Sequence, residues 1–299
     1  MLDEQVVRWL LEEDNPAVRY RTQTEILGEA GDKSPVISWV NHFLPVDWYT
    51  CEGLWSTYYL TAIAECGLSF GDIPIEKEKA IHFDADHAFE HSCGDYMRLR
   101  ALIRLELVED VMRVFHNAAK NQLPDGGFLC LHRLFKMNHI PKSCVKANMH
   151  ALMFCAECRK KGIVAEIEEP LLDYFWNHKL FYRSDNSEKL ILDVREGWRS
   201  IDTFHPFEVM CVGLHNIVEA FCALGFGNDE RLSGAWSLLE SKKTTDNKYT
   251  LDKTLAKSYL PKERVAKPNK WVTFYAVLAE KEKQIGKSSV MESDLFCQV

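Results

Sequence analysis

The residues of this sequence best suited to chemistry begin with Cys211 and His215. They lie four apart in a segment of helical period, a spacing that puts both on one helix face, and a thiol beside an imidazole is a nucleophile beside its base. The pair also reads as core packing with one satisfied imidazole, because no third residue is at hand to orient the ring. A second group, Cys130, His132 and Cys144, joins soft thiolates to an imidazole, a set that suits zinc. Zinc is possible there but not favoured, since a buried cysteine and a surface histidine account for the group more simply. Cys155-Ala-Glu-Cys158 has metal-knuckle spacing inside a helical pattern, without a second Cys-x-x-Cys half-site. Most of the ten cysteines read as small apolar core residues of a reducing compartment.

These side chains are carried by helices that come in pairs. Met97–Leu107 and Glu109–Asn121 have apolar residues at helical spacing and almost nothing between them, the pattern of an α-hairpin. The hairpin closes in Gln122-Leu-Pro-Asp-Gly-Gly-Phe128, where glycine supplies positive φ, Asp125 accepts from nearby amides and Phe128 folds back on the pair. Val209–Leu224 and Asp229–Leu239 repeat the arrangement, with Asp246-Asn-Lys-Tyr249 in place of Asp125-Gly-Gly-Phe128. Tyr58–Gly67 with Ile75–His82 forms a further copy. Helices are also expected at Asp3–Glu12, Ala17–Gly28, Pro35–Phe43, Ser143–Lys160, Glu168–His178 and Asn269–Lys283. Leu129–Pro141 and Leu180–Thr203 resist a helical reading, the second holding a candidate extended piece at Lys189–Asp193. Asp125 is mainly turn punctuation on this reading, with a catalytic role as the alternative.

Composition limits the partners. With 46% hydrophobic and 27% charged residues the chain can bury a sizeable core, and no composition shift marks a domain boundary, so one domain over 1–299 is expected, the helices of 1–45 packing on it. A formal charge of −8 argues against nucleic acid, which needs concentrated Lys and Arg. No apolar run is long enough to cross a bilayer, and the acidic start Met1-Leu-Asp-Glu lacks the basic region of a signal peptide, so a cytoplasmic protein is expected.

Four stretches taken together, Trp9-Leu-Leu-Glu-Glu-Asp-Asn-Pro-Ala-Val-Arg-Tyr20, Gly53-Leu-Trp-Ser-Thr57, Gln122–Cys130 and Lys267-Pro-Asn-Lys-Trp-Val-Thr273, resemble bacterial prenyltransferase and squalene-oxidase repeat proteins, the squalene-cyclase-like class. The resemblance runs nearly end to end. It implies an all-α fold, an α/α toroid with inner and outer rings of helices around a central cavity. It also implies a hydrophobic, isoprenoid-like substrate and acid-initiated chemistry, for which the class uses an Asp-x-Asp-Asp motif. Asp84-Ala-Asp86-His87 matches the first three positions and has His in place of the last Asp. The class's zinc-dependent transferases use an Asp-x-Cys pair and a distant His, a spacing not found here. In a toroid, Trp55, Tyr58, Asp125, His205 and Trp271 become candidates to line the cavity, the aromatics as cation–π surfaces or as hairpin plugs. A non-catalytic ligand- or peptide-binding module of the same fold, or a zinc-dependent transferase, are the alternatives to a cyclase-like enzyme. Substrate, product and oligomeric state are not legible.

Overall fold

The computed structural model describes residues 3–51, 54–81, 92–130, 142–193, 197–205, 211–254, 260–261 and 263–296, with side chains at all but 54, 92, 117–118 and 286–296. The chain begins with α1 (Glu4–Leu10) and α2 (Pro16–Arg21). Asp3 caps the first by accepting from the amides of Gln5 and Val6 at 2.9 and 3.3 Å. Asn15 caps the second through Val18 N–H, with Pro16 in its first turn. A π-helical turn, Thr22–Leu27, continues α2 and stops at Gly28, which takes φ +73°.

After α3 (Ser34–Phe43) come α4 (Leu54–Glu65), the short α5 (Lys77–Ile81), α6 (Ser92–Arg104), α7 (Val108–Ala119), α8 (Val145–Lys160) and α9 (Glu168–Asn177). A two-stranded antiparallel hairpin, β1 (Tyr182–Arg183) and β2 (Asn186–Leu190), pairs Tyr182 with Leu190. It supplies the extended piece expected near Lys189. Then follow α10 (Leu214–Ala223), α11 (Ser233–Glu240) and α12 (Lys270–Phe296). The fold is all-α, with that hairpin its one sheet among the described residues.

Burial divides the helices into two kinds. In α8 every residue from Ala147 to Cys158 is buried, and in α10 every residue from Leu214 to Cys222. The run from Asn269 to Ala279 in and before α12 is buried throughout. By contrast α9 and α11 bury one stripe each, Leu171, Leu172, Tyr174 and Phe175 in the first and Ala235 and Leu239 in the second. A helix apolar on one face needs one neighbour, and a helix buried all round needs several. The packing follows from this: α4 lies on α6, α6 on α8, α8 on α10, α10 on α12, and α12 against α2 and its π-helical turn. Of the one-sided helices, α7 packs on α6, α9 on α8 and α11 on α10.

The turn that closes each hairpin also holds the next buried helix. At Gln122–Phe128 the amide of Leu123 donates to Gly127 O at 2.8 Å and that of Gly126 to Leu123 O at 2.9 Å. Thr244–Tyr249 repeats both bonds, Thr244 to Lys248 O at 2.7 Å and Asn247 to Thr244 O at 3.1 Å, with Asn247 at φ +59° in the place of Gly126 at φ +84°. The two closing aromatics, Phe128 and Tyr249, are buried, and each is tied to a side chain of the following helix. Phe128 N–H donates to Asn148 Oδ1 on α8 at 2.7 Å, and Tyr249 N–H to Thr273 Oγ1 on α12 at 2.9 Å.

Several boundaries depart from the sequence expectation: α4 begins at Leu54, ahead of the expected Tyr58, and α12 runs to Phe296, past the expected Lys283. The helix expected over Val209–Leu224 begins at Leu214, because Gly213 is extended (φ −83°, ψ 160°) and its N–H donates to Asn216 Oδ1. The helix expected from Met97 starts a turn earlier, at Ser92.

Gly126 and Gly28 separate conformational strain from crowding. A Cβ on Gly28 meets nothing within 4 Å, whereas one on Gly126 would sit 1.9 Å from the Pro170 carbonyl oxygen. Gly28→Ala is expected to lose about 1 kcal/mol, from left-handed φ alone. Gly126→Ala is expected to lose roughly 3 kcal/mol or more. Urea unfolding midpoints of the two variants check the difference.

Candidate functional site

The buried helices carry polar residues at helical spacing on one face each. Thr57, Thr61 and Glu65 form such a stripe on α4, Arg100 and Arg104 on α6, His215 and Glu219 on α10, Trp271 and Tyr275 on α12. Near the C-terminal ends of α2, α4, α6, α8 and α10 these stripes meet in a layer of ion pairs. Arg21, fully buried, donates from Nε to Glu25 Oε1 at 2.5 Å and from Nη2 to Glu25 Oε2 at 2.7 Å. Its Nη1 donates to the Glu65 main-chain oxygen at 3.2 Å and to Tyr275 Oη at 2.9 Å. Arg100 Nη2 lies 2.5 Å from Glu65 Oε1, and Tyr275 O–H donates to Glu65 Oε2. Arg104 reaches Glu157 at 2.7 Å, and Lys160 pairs with Glu219, with Glu282 3.7 Å away.

Burial opposes ionisation of Glu65, yet Arg100, Arg104 and Arg21 hold its carboxyl below the ordinary range. Glu25 and Glu157 are depressed in the same way, against burial, by Arg21 and Arg104 respectively. Glu282 goes the other way: burial, then the neighbouring Glu219 and Glu157, outweigh Lys160 and push it up to about 8. It therefore keeps its proton at neutral pH, while Arg104 and Lys160 sit where a helix C-terminus favours cations.

Nearer the N-terminal ends lies the part of the site with unused hydrogen-bonding capacity. His215 is fully buried in the first turn of α10, and neither ring nitrogen has a hydrogen-bond partner among the described residues. Its ring centroid is 5.7 Å from that of Tyr275. Gly213 is required behind it, since a Cβ there would lie 2.5 Å from His215 Cε1. Burial, reinforced by His205 and only partly offset by Glu65, lowers the His215 pKa to about 3, so the imidazole is neutral. Burial also raises Tyr275, to about 12, with Arg21 opposing and Glu65 assisting. His205 is buried against Trp271, ring centroids 6.4 Å apart. A neutral imidazole at this level can hold a ligand hydroxyl or carbonyl but supplies no strong acid, and the Tyr275 hydroxyl is already engaged by Glu65 and Arg21.

Several expected site residues are placed elsewhere. Cys211 is half-buried and lies ahead of α10, outside the helix, so the one-face argument for a Cys211–His215 pair does not apply. Asp125 is exposed and engaged in structure: Oδ1 accepts from Gly127 N–H and Oδ2 from Ser143 N–H, each at 3.1 Å. Trp55 is 48% exposed at the start of α4, edge-on to half-buried Tyr58 at 5.8 Å. Cys130 is buried and Cys144 precedes α8. The thiol that joins them is Cys93, hydrogen-bonded to Cys130; this bond, then burial, pushes Cys93 well up. Among the described residues no three His, Cys, Asp or Glu side chains are grouped to hold a metal ion. Asp84, Asp86, His87 and His132 lie outside the described residues.

Sequence reasoning missed Arg21, Glu65, Arg100, Arg104 and Glu157, because isolated charges at helical spacing read as a solvated face. The available signal was their setting, such as Glu65 after Leu60-Thr-Ala-Ile-Ala64. No protein-family profile, curated protein or solved structure matches the chain.

Two outcomes follow from this geometry. Glu65→Leu leaves Arg21, Arg100 and Tyr275 without their shared acceptor and is expected to lose about 3 kcal/mol or more of stability, read from chemical denaturation. His215 stays neutral when folded but protonates below about 6.5 when unfolded, so it makes stability fall as pH drops from about 6.5 towards 3, by roughly 1.4 kcal/mol per pH unit. Glu65, Glu25 and Glu157 add their own losses only below the ordinary carboxylate range, about 4.3. Glu282, held up to about 8, changes stability in the opposite sense over this range in both proteins, so His215 is read from the difference between them: His215→Leu is expected to gain stability relative to the parent protein on going from pH 7 to pH 5, by about 2 kcal/mol in unfolding free energy.

Proposed function

We propose that this protein is an α/α toroid of the cyclase-like repeat class, which takes a largely hydrophobic small molecule between its buried helices from their N-terminal ends. The observation that carries the reading is His215: a buried imidazole with no partner is costly unless a bound group completes it. The gradient along the helices supports the direction of entry. Tyr58, Lys146 and Cys211, at or ahead of the N-terminal ends, are half-buried, Thr61, His150 and Tyr275 are buried, and the C-terminal ends are closed by ion pairs. The run of contacts from α4 through α6, α8, α10 and α12 to α2, with Arg21 bridging back to Glu65 at the end of α4, supports a closed ring.

His215 is the binding residue in this reading, orienting a single oxygen function on an otherwise apolar molecule, with the Tyr275 ring beside it. If the protein is an acid-initiated enzyme, the acid is Asp84 or Asp86 beside His87. The interior carboxylates Glu65 and Glu157 are ionised and paired, and protonated Glu282 lies in the closed layer. That commitment of the interior acids favours a second reading, a non-catalytic carrier using the same space. A zinc-dependent transferase built on Cys130, His132 and Cys144 is a weaker third.

Farnesol, an isoprenoid with one hydroxyl, is the probe. Equilibrium dialysis is expected to give one saturable site, weakened roughly five- to thirtyfold in His215→Leu, the loss of one hydrogen bond to a buried partner. Absence of saturable binding, or equal affinity in the variant, would defeat the reading. Turnover of any isoprenoid that persists in Asp86→Asn would remove Asp86 as the acid and leave Asp84, whereas farnesol binding without turnover of any isoprenoid in the parent protein would leave the carrier.

A further inference from the structure

Away from the helix interior, the outer surface has a groove of about 600 Å³ between the end of α9, the turn after it and α11. That volume is in the range of small-molecule sites. Its apolar wall is Trp176, Leu180, Phe181, Ala235 and Leu238. Trp176 is held in place from behind by Phe221 and Phe226, with ring centroids at 4.7 and 5.6 Å. The charged side chains lining the groove are both cationic, Lys179 and Arg231, and no carboxylate lines it. Arg231 is already committed: it pairs with Asp229 at 2.6 Å and lies over Trp176 at 4.1 Å. Lys179 is exposed, and its ammonium has no ion pair or hydrogen bond among the described residues.

The backbone that presents Lys179 is strained. Lys179 and Leu180 both adopt left-handed conformations, φ +42° and +68°. Such conformations in residues other than glycine are unfavourable and persist only where the surroundings enforce them. Here the enforcement comes from Leu180 N–H to Phe175 O and Tyr182 N–H to His178 O, both 2.8 Å, and from burial of Leu180 and Phe181. Burial explains a leucine at 180. At 179 glycine would make the same turn without strain, and the lysine side chain has no structural partner to justify its place.

From the free ammonium, the aromatic and aliphatic wall and the absence of any lining acid, we infer that this groove binds an amphiphile with one carboxylate head and an aliphatic tail. The head pairs with Lys179 and the tail lies along Trp176, Leu180 and Leu238. The ligand is a free fatty-acid-like molecule, matched by charge to one exposed lysine, and the site is independent of the space beside His215.

Dodecanoate, dodecanol and dodecyltrimethylammonium, all below micellar concentration, test this by equilibrium dialysis against the full chain. Dodecanoate is expected to bind one saturable site, dodecanol at least tenfold more weakly, and the cationic analogue not at all. Lys179→Gly should raise the urea midpoint by relieving strain and yet weaken dodecanoate at least tenfold, opposite signs that misfolding cannot produce. Ser237→Trp, which fills the groove from its exposed edge, should abolish binding, and His215→Leu should leave it unchanged. Equal affinity for dodecanol and dodecanoate, unaltered binding in Lys179→Gly or Ser237→Trp, or loss of binding in His215→Leu would each overturn the assignment.

Discussion

The carboxylate of Glu65 is the point on which the buried helices depend. It sits at the end of α4, 1% exposed, and receives Arg21 from α2, Arg100 from α6 and the hydroxyl of Tyr275 from α12. An ionised group so deep is tolerable only when opposite charge and donors surround it, and here these come from three separate elements. One side chain thus fixes how four segments lie relative to each other. Apolar surfaces slide past one another at little penalty. A carboxylate shared by two guanidinium groups and a phenol does not, and buried polar contacts of this kind confer register more than stability.

The rest of the layer extends the same constraint. Arg104 carries it from α6 to Glu157 on α8, and Lys160 carries it on to Glu219 of α10 and towards Glu282 of α12. Acids and bases alternate from α2 to α8, and Lys160 of α8 draws in the acids of both α10 and α12. Where three acids face one base, around Lys160, Glu282 is pushed up to about 8 and holds its proton at neutral pH, avoiding a third negative charge beside Glu157 and Glu219. The interior is consequently rigid at one end and polar but less committed towards the other, where His215 has no partner.

What could be read from the residues alone was what local chemistry determines. Asp125-Gly-Gly-Phe128 and its worn counterpart Asp246-Asn-Lys-Tyr249 are recognisable because positive φ, an accepting aspartate and a closing aromatic are all specified within a few residues. The caps at Asn15-Pro16 and Gly28 were legible for the same reason. The start of α10 was not, since apolar spacing runs on through 209–213 while one extended glycine ends the helix. The ion-paired layer was invisible because a charge declares nothing about depth: Arg100 and an exposed arginine look alike until the packing of five helices is known. His215 was singled out as a base paired with Cys211. It matters for a different reason, its burial without a hydrogen bond, which depends on Tyr275 and Gly213 far from it or hidden in its own backbone.

The contacts that hold the first helices against the last also bear on when the molecule becomes complete. Arg21 depends on Tyr275, and the carbonyls ending the π-helical turn, Glu25 and Ile26, accept from Lys281 at 2.7 and 3.0 Å. During synthesis α2, α4 and α6 emerge with Arg21 and Glu65 still lacking the tyrosine that joins them. The growing chain therefore cannot finish its interior from the N-terminus forward. The last step of assembly waits until α12 is available, and until then Arg21 and Glu65 lack the tyrosine that joins them.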